Sequence, residues 1–163
     1  MSRESARYNP HVMHAHSSAL RRGRHSEPGR IYLLTTVTRA RERIFADFVL
    51  ARLAIAQMRQ ITARGYCHTL AFVLMPDHLH WLIQLSEHDL SRVVGGFKAN
   101  SARRVNRQRN TPGLPVWQHG FHDRAVRRDE DLIALARYVV ANPLRAGLAA
   151  RPGDYPHWDA IWL

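Results

Sequence analysis

The chain is 163 residues long and 45% hydrophobic, which suits a single domain with a normal core. It carries no apolar run of membrane-spanning length and no signal peptide, and its lone cysteine, Cys67, rules out an intrachain disulfide, so a reduced, cytoplasmic compartment is expected and a membrane partner is not. Lys plus Arg number 24 against 13 Asp plus Glu, a net charge of +11 with a pI near 11.2, and that imbalance points to a polyanionic partner, most often nucleic acid. Arginine supplies nearly all the cations, with Lys98 the only lysine. A GC-rich genome explains arginine over lysine but not the excess of cations over carboxylates. Arginine pairs bidentately with phosphate and stacks on bases.

Residues 1–29 show no apolar period; they hold scattered histidines (His11, His14, His16, His25) and the run Arg21-Arg-Gly-Arg-His25, and read as a flexible basic arm. Ile31 to Thr38, rich in β-formers, predicts a first strand. Asp47 to about Arg64 has largely helical apolar spacing (Val49, Leu50, Leu53, Ile55, Ala56, Met58, Ile61), with Gly65 as its stop. Tyr66 to Leu74 predicts a second strand, Met75-Pro76-Asp77 a tight turn, and His78 to Leu85 a third strand, so strands two and three form a hairpin. Cys67 reads as a small buried strand residue.

Asp89 to about Arg109 predicts a second helix, open to interruption at Gly95-Gly96, and its far half carries Arg103, Arg104, Arg107 and Arg109. After the loop Asn110-Thr-Pro-Gly113, Val116 to Val126 reads as a fourth strand and Asp129 to about Asn142 as a third helix. Residues 148–163 form a tail with prolines and tryptophans. The order β-α-β-β-α-β-α opens on the split βαβ, ferredoxin-like pattern: an α+β fold with an antiparallel sheet, helices packed on one face, and a further C-terminal helix. Such a fold hosts many functions and decides none of them.

The third strand carries the chemistry. From His78 onward it divides by period two: Leu79, Trp81, Ile83 and Leu85 fall on one face, and His78, His80, Leu82 and Gln84 on the other. Two imidazoles at i and i+2 on one strand face can reach a single divalent cation, and Asp77 is placed to bond one of the rings. More often such a pair is simply solvated or hydrogen-bonded; the Pro-Asp lead-in and the contrast between the two faces favour a site. With no cysteine pair for structural zinc, mixed nitrogen and oxygen ligation suits manganese or magnesium.

On a helical wheel of the third helix, Leu132, Ala136, Val139, Val140 and Pro143 cluster opposite Tyr138, while Asp131, Ala134, Asn142 and Arg145 share its side. Tyr138 therefore points away from the packing stripe, either as a functional group or as a surface tyrosine over a neighbour. Asn142, one turn on, offers an amide oxygen to the same metal; Asn142-Pro143 equally fits an N-cap followed by a first-turn proline.

Three stretches, Met75-Pro-Asp-His-Leu-His-Trp-Leu-Ile83, Trp117-Gln-His-Gly-Phe-His-Asp123 and Ala136-Arg-Tyr-Val-Val-Ala-Asn-Pro-Leu-Arg-Ala-Gly147, in this order and spacing, resemble those of the HUH single-tyrosine transposases, and in particular the REP-associated tyrosine transposases. The resemblance covers about residues 30–150, with the 1–29 arm and the 151–163 tail outside it. It implies a divalent metal, Mg or Mn, held by His78, His80 and a third polar ligand, which the one-turn offset assigns to Asn142, where the wider family often has glutamine. It implies Tyr138 as a nucleophile that cleaves single-stranded DNA through a 5′-phosphotyrosine link, and palindromic hairpin DNA as partner, with the enzyme a monomer or homodimer. Arg103, Arg104, Arg107 and Lys98 are candidate nucleic-acid contacts, although a charge run is commonly a solvated face; Trp117, with Phe121 and His122, is a candidate for base stacking or else core. His119, His122 and Asp123 are further, uncertain metal candidates. The alternatives are a non-catalytic hairpin DNA or RNA-binding regulator on the same fold, and a hydrolase that uses water in place of tyrosine.

Overall fold

The computed structural model describes residues 26–163. Most of the basic arm, with its four histidines, lies outside the described residues. Along the chain run β1 (Ile31–Val37), α1 (Phe48–Ala63), β2 (Cys67–Leu74), β3 (His78–Leu85), α2 (Leu90–Arg109), β4 (His122–Ala125), α3 (Leu132–Val140), a single turn α4 (Asn142–Arg145) and β5 (Trp158–Ala160). The five strands form one sheet in the order β4-β1-β3-β2-β5, every pair antiparallel. β3 sits between β1 and β2, as the split βαβ pattern requires.

The two faces of β3 have different fates. Leu79, Trp81, Ile83 and Leu85 join Leu34 of β1 and Phe72 and Leu74 of β2 in the main core, which α1 covers with Leu50, Ala54, Ile55, Met58 and Ile61, and α2 with Val93, Val94, Phe97 and Val105. α3 lies on the other face: Leu82 packs with Ala136 and Val140, and Val73 and Met75 with Val139. The sheet is thus a middle layer, with α1 and α2 behind it and the tyrosine-bearing helix in front, on the histidine side.

Side-chain caps set the helix starts. Asp47 accepts from Leu50 N (3.0 Å), Asp89 from Arg92 N (2.8 Å), and Asp131 from Ile133 N and Ala134 N (both 3.0 Å). α2 runs unbroken through Gly95 and Gly96, since burial of the residues either side outweighs their weak propensity. Cys67 is fully buried, and desolvation pushes its thiol pKa up to about 12, which makes it inert.

Three expectations are corrected. The stretch 116–126 is not one strand: Trp117 makes an isolated bridge to Thr38, Gly120 turns the chain at φ 74°, and only His122–Ala125 pairs with β1. α3 starts at Leu132 rather than near Asp129, because Asp131 is the aspartate that caps it. The tail supplies a fifth strand, β5, which pairs with the outer edge of β2. Residues 26–29 are tied to the domain: Ser26 Oγ accepts from Leu90 N (3.0 Å) and Gly29 N donates to Leu85 O (2.7 Å).

Candidate active site

The histidine pair stands at the start of β3, with ring centroids 4.8 Å apart and planes at 85°. Each ring is fixed through its Nδ1. His78 Nδ1 donates to Asp77 Oδ1 at 2.6 Å, and His80 Nδ1 lies 2.9 Å from Thr35 Oγ1 on β1. In both rings Nε2 is left as the nitrogen for a metal, with a carboxylate or a hydroxyl orienting the ring from behind. Burial, reinforced by the neighbouring His78 and Arg145, pushes the His80 pKa down to about 3, so this imidazole stays neutral with its lone pair available throughout the physiological range. Burial raises the Asp77 carboxyl, but hydrogen bonding and attraction from His78 and Arg41 outweigh it and hold the group below the usual carboxylate range.

α3 and α4 bring the other two predicted residues to this side. Tyr138 is 41% exposed while Ala136, Val139 and Val140 are buried, the division the wheel predicts. Arg145 lays its guanidinium 4.0 Å from the centroid of the Tyr138 ring and donates Nη2 to the Tyr138 carbonyl at 2.8 Å. Because it also lowers the proton affinity of His80, this one cation reaches both the tyrosine helix and the histidine pair. Asn142 is the first residue of α4 and not its N-cap, which is Ala141. Its Nδ2 donates back to Val139 O at 2.8 Å, and since that partner is a carbonyl, Oδ1 is the amide atom left for a ligand. No set of three His, Cys, Asp or Glu side chains is arranged for a metal among the described residues. His122 faces the same side as His80 but stands one strand further out, across Thr35.

The remaining candidates lie elsewhere. Arg103, Arg104 and Arg107 are exposed on α2, behind the sheet, and Arg103 bonds Asn100 of its own helix. Lys98 donates Nζ to the carbonyls of Gln118 (2.5 Å) and Gly120 (2.6 Å), clamping the segment that precedes β4. Trp117 does not present a stacking face: it is 7% exposed, wedged between Phe45 and Phe97 at centroid distances of 5.1 and 5.4 Å, with Nε1 on Ser101 Oγ at 2.9 Å. Its indole is core because the isolated bridge at Thr38 turns it inward.

Sequence reading missed Arg145 as a partner of Tyr138 and missed the turn after β1. There Ala40 (φ 54°) and Arg41 (φ 53°) are successive left-handed residues without being glycines, a geometry that costs about 1–2 kcal/mol per residue. The turn is held nonetheless. Arg39 N donates to Val116 O (2.8 Å), Thr38 N to Asp77 O (2.9 Å), and Thr38 Oγ1 lies 2.7 Å from Glu42 O. It aims Arg41 Nη1 at Asp77 Oδ2, 3.2 Å away. An open cleft of about 970 Å³ lined by Tyr32, Ser91, Asp123, Arg124 and Glu130 is not this site; neither histidine borders it.

The family model described as "Transposase IS200 like" matches residues 29–142, more than half of the chain, and the chain belongs to that family. Among relatives, it is 29% identical over 100 residues to a Haemophilus influenzae protein described as a REP-associated tyrosine transposase; the match spans 55% of this chain and 56% of that protein, so the chain corresponds to about half of its length. Two solved structures share the fold. One, described as a REP-associated tyrosine transposase bound to a REP hairpin, superposes with a TM-score of 0.64 at 21% identity over 83% of this chain and 79% of that one. The other, described as a transposase from Deinococcus radiodurans, gives 0.52 at 23% identity over 74% and 95%. Among the described residues no helix is long and apolar enough to cross a membrane.

Proposed function

We propose that the protein is a metal-dependent single-stranded DNA endonuclease and strand transferase that acts on palindromic hairpin DNA through a 5′-phosphotyrosine intermediate. The observation that carries the reading is the pair of pre-oriented imidazoles on the sheet face that α3 covers, linked to Tyr138 through Arg145. The REP hairpin bound in the similar structure supports the substrate class.

The donor set fits a small divalent cation: two neutral-capable imidazoles through Nε2 and an amide oxygen, Asn142 Oδ1, with room for substrate oxygen. His78, His80 and Asn142 would hold magnesium or manganese, which supplies Lewis-acid polarisation of a phosphate oxygen when bound. The chain's own residues do the rest. Asp77 and Thr35 keep the two rings in register. Tyr138 Oη forms an ester bond to phosphorus as the P–O3′ bond breaks; the phenol gives up its proton and the departing strand leaves as a 3′-hydroxyl. Attack by a second 3′-hydroxyl reverses the step and frees the tyrosine. One phosphodiester replaces another, so the exchange needs no ATP.

The test is a denaturation-resistant adduct between the protein and a single-stranded hairpin oligonucleotide drawn from the DNA that flanks its gene, formed with manganese or magnesium. It is expected with wild type and absent with Tyr138→Phe, which should still bind the hairpin. Equal adduct from the mutant removes Tyr138 from its role; binding with no adduct from either protein favours a non-catalytic regulator.

A further inference from the structure

The strained turn after β1 has no explanation in packing. Arg39, Ala40, Arg41, Glu42 and Arg43 are all exposed, so the left-handed pair at Ala40 and Arg41 buries nothing. What the geometry accomplishes is placement. It sets three arginines beside the Asp77–His78 end of β3, and Arg41, with a side chain still 65% exposed, spends one nitrogen on Asp77 and keeps the rest of its fork toward solvent. Arg39 and Arg43 have no carboxylate partner among the described residues, and Arg43 stands close enough to Tyr155, which bonds Leu74 O at 2.7 Å, to act on its phenol. The turn is braced from behind by Arg109 of α2, which pairs with Glu42 at 2.6 Å.

At Tyr138 stands a further exposed arginine, Arg145. Contacts run from Arg41 to Asp77, to His78 and across to His80, and a separate contact joins Arg145 to Tyr138, with Arg145 close enough to His80 to act on it electrostatically. One cation thus stands at the Asp77–His78 end and another on Tyr138, and both act on the histidine pair's surroundings. Planar, solvent-facing guanidinium groups flanking the candidate metal ligands suit successive phosphates of one extended strand. By contrast, the α2 arginines are on the other side of the sheet.

We propose that the Arg39–Arg43 turn and Arg145 form a two-sided rim that grips the phosphodiester backbone of single-stranded DNA on either side of the histidine pair. The assignment rests on the transposase reading above and adds the path of the strand to it. Each guanidinium that binds a phosphate releases counterions, so its removal lowers the salt dependence of binding by a countable amount.

The experiment measures binding of two fluorescent probes, oligothymidine and a DNA hairpin with a single-stranded extension, by anisotropy between about 50 and about 200 mM salt. Full-length Arg41→Gln and Arg145→Gln are each expected to lower the slope of log K against log salt by about 0.7–0.9, and Arg41→Lys to keep it. Wild-type slopes in both glutamine variants overturn the rim. If a variant unfolds, arginine modification of the wild-type protein with phenylglyoxal, mapped by mass spectrometry, decides instead. Protection of Arg41 and Arg145 by oligothymidine is expected; modification there unchanged by DNA overturns the proposal. Neither readout requires cleavage, so a protein that binds with the expected slopes yet forms no adduct sinks the functional reading and leaves the rim standing.

Discussion

Arg145 stacks over the ring of Tyr138 and at the same time donates to the backbone carbonyl of that residue. The carbonyl belongs to the last turn of α3, so the arginine fixes both the ring and the helix end. A tyrosine that is 41% exposed would otherwise sample several rotamers. Its orientation on the histidine side of the sheet is thus built into the Asn142–Arg145 turn that follows it.

Stability should fall on acidification with His80 in control. The His80 pKa is pushed down to about 3 in the folded protein, against about 6.5 unfolded, so the unfolded chain binds more protons throughout that window. Stability is complete above the unfolded value and declines as pH falls toward 3, by up to about 1.4 kcal/mol per pH unit. Asp77, held below the usual carboxylate range, adds a further loss that sets in as pH falls through the ordinary carboxylate value of about 3.9. Chemical denaturation at several pH values in chelator checks this: His80→Gln should flatten the curve between pH 6.5 and 4, and an unchanged curve refutes the assignment.

Metal should stabilise the folded state through the same pair. At a hundredfold excess over Kd the gain is about 2.7 kcal/mol, and for a chain of this size each kcal/mol raises Tm by roughly 2–4 °C. Calorimetry with manganese should show the rise in wild type, lose it in His78→Ala and His80→Ala, and reduce it in Asn142→Ala. A rise that survives both histidine substitutions places the metal elsewhere.

Trp117 is predicted to act through the core. Trp117→Ala should cost about 3–5 kcal/mol in urea unfolding, by opening a cavity between Phe45 and Phe97 and removing the indole donor to Ser101 Oγ. Under conditions where the variant is folded, hairpin affinity should match wild type. A large loss of affinity without loss of stability would restore it as a stacking residue.

Gly95 sits exposed in the interior of α2, with open space where a Cβ would go. Gly95→Ala should stabilise the protein by about 0.5–1 kcal/mol, measured as a higher urea midpoint with unchanged slope.

Much of this was legible from the chain because strong periodicity and strong burial agreed. β3 alternates so cleanly because one of its faces meets α1 and α2 and the other carries the histidines. Tyr138 could be placed outside the packing stripe because α3 buries a single narrow face. The fourth strand was overread because Val116, Trp117 and Phe121 are as apolar as strand residues, whereas the turn at Gly120 and the Lys98 clamp depend on a helix distant in sequence. Three residues of β5 are too few to show a period. The meeting of Arg41 with Asp77, 36 residues apart, is a product of the assembled fold, invisible to local pattern.

The most direct measurement is to trim the covalent adduct formed with hairpin DNA by nuclease, digest the protein, and locate the nucleotide-bearing residue by mass spectrometry. The account predicts a single modified peptide carrying the 5′-phosphate on Tyr138, formed only with divalent metal and lost in His80→Ala. A nucleotide on another tyrosine such as Tyr155, or cleavage with no adduct on the protein at all, would contradict it.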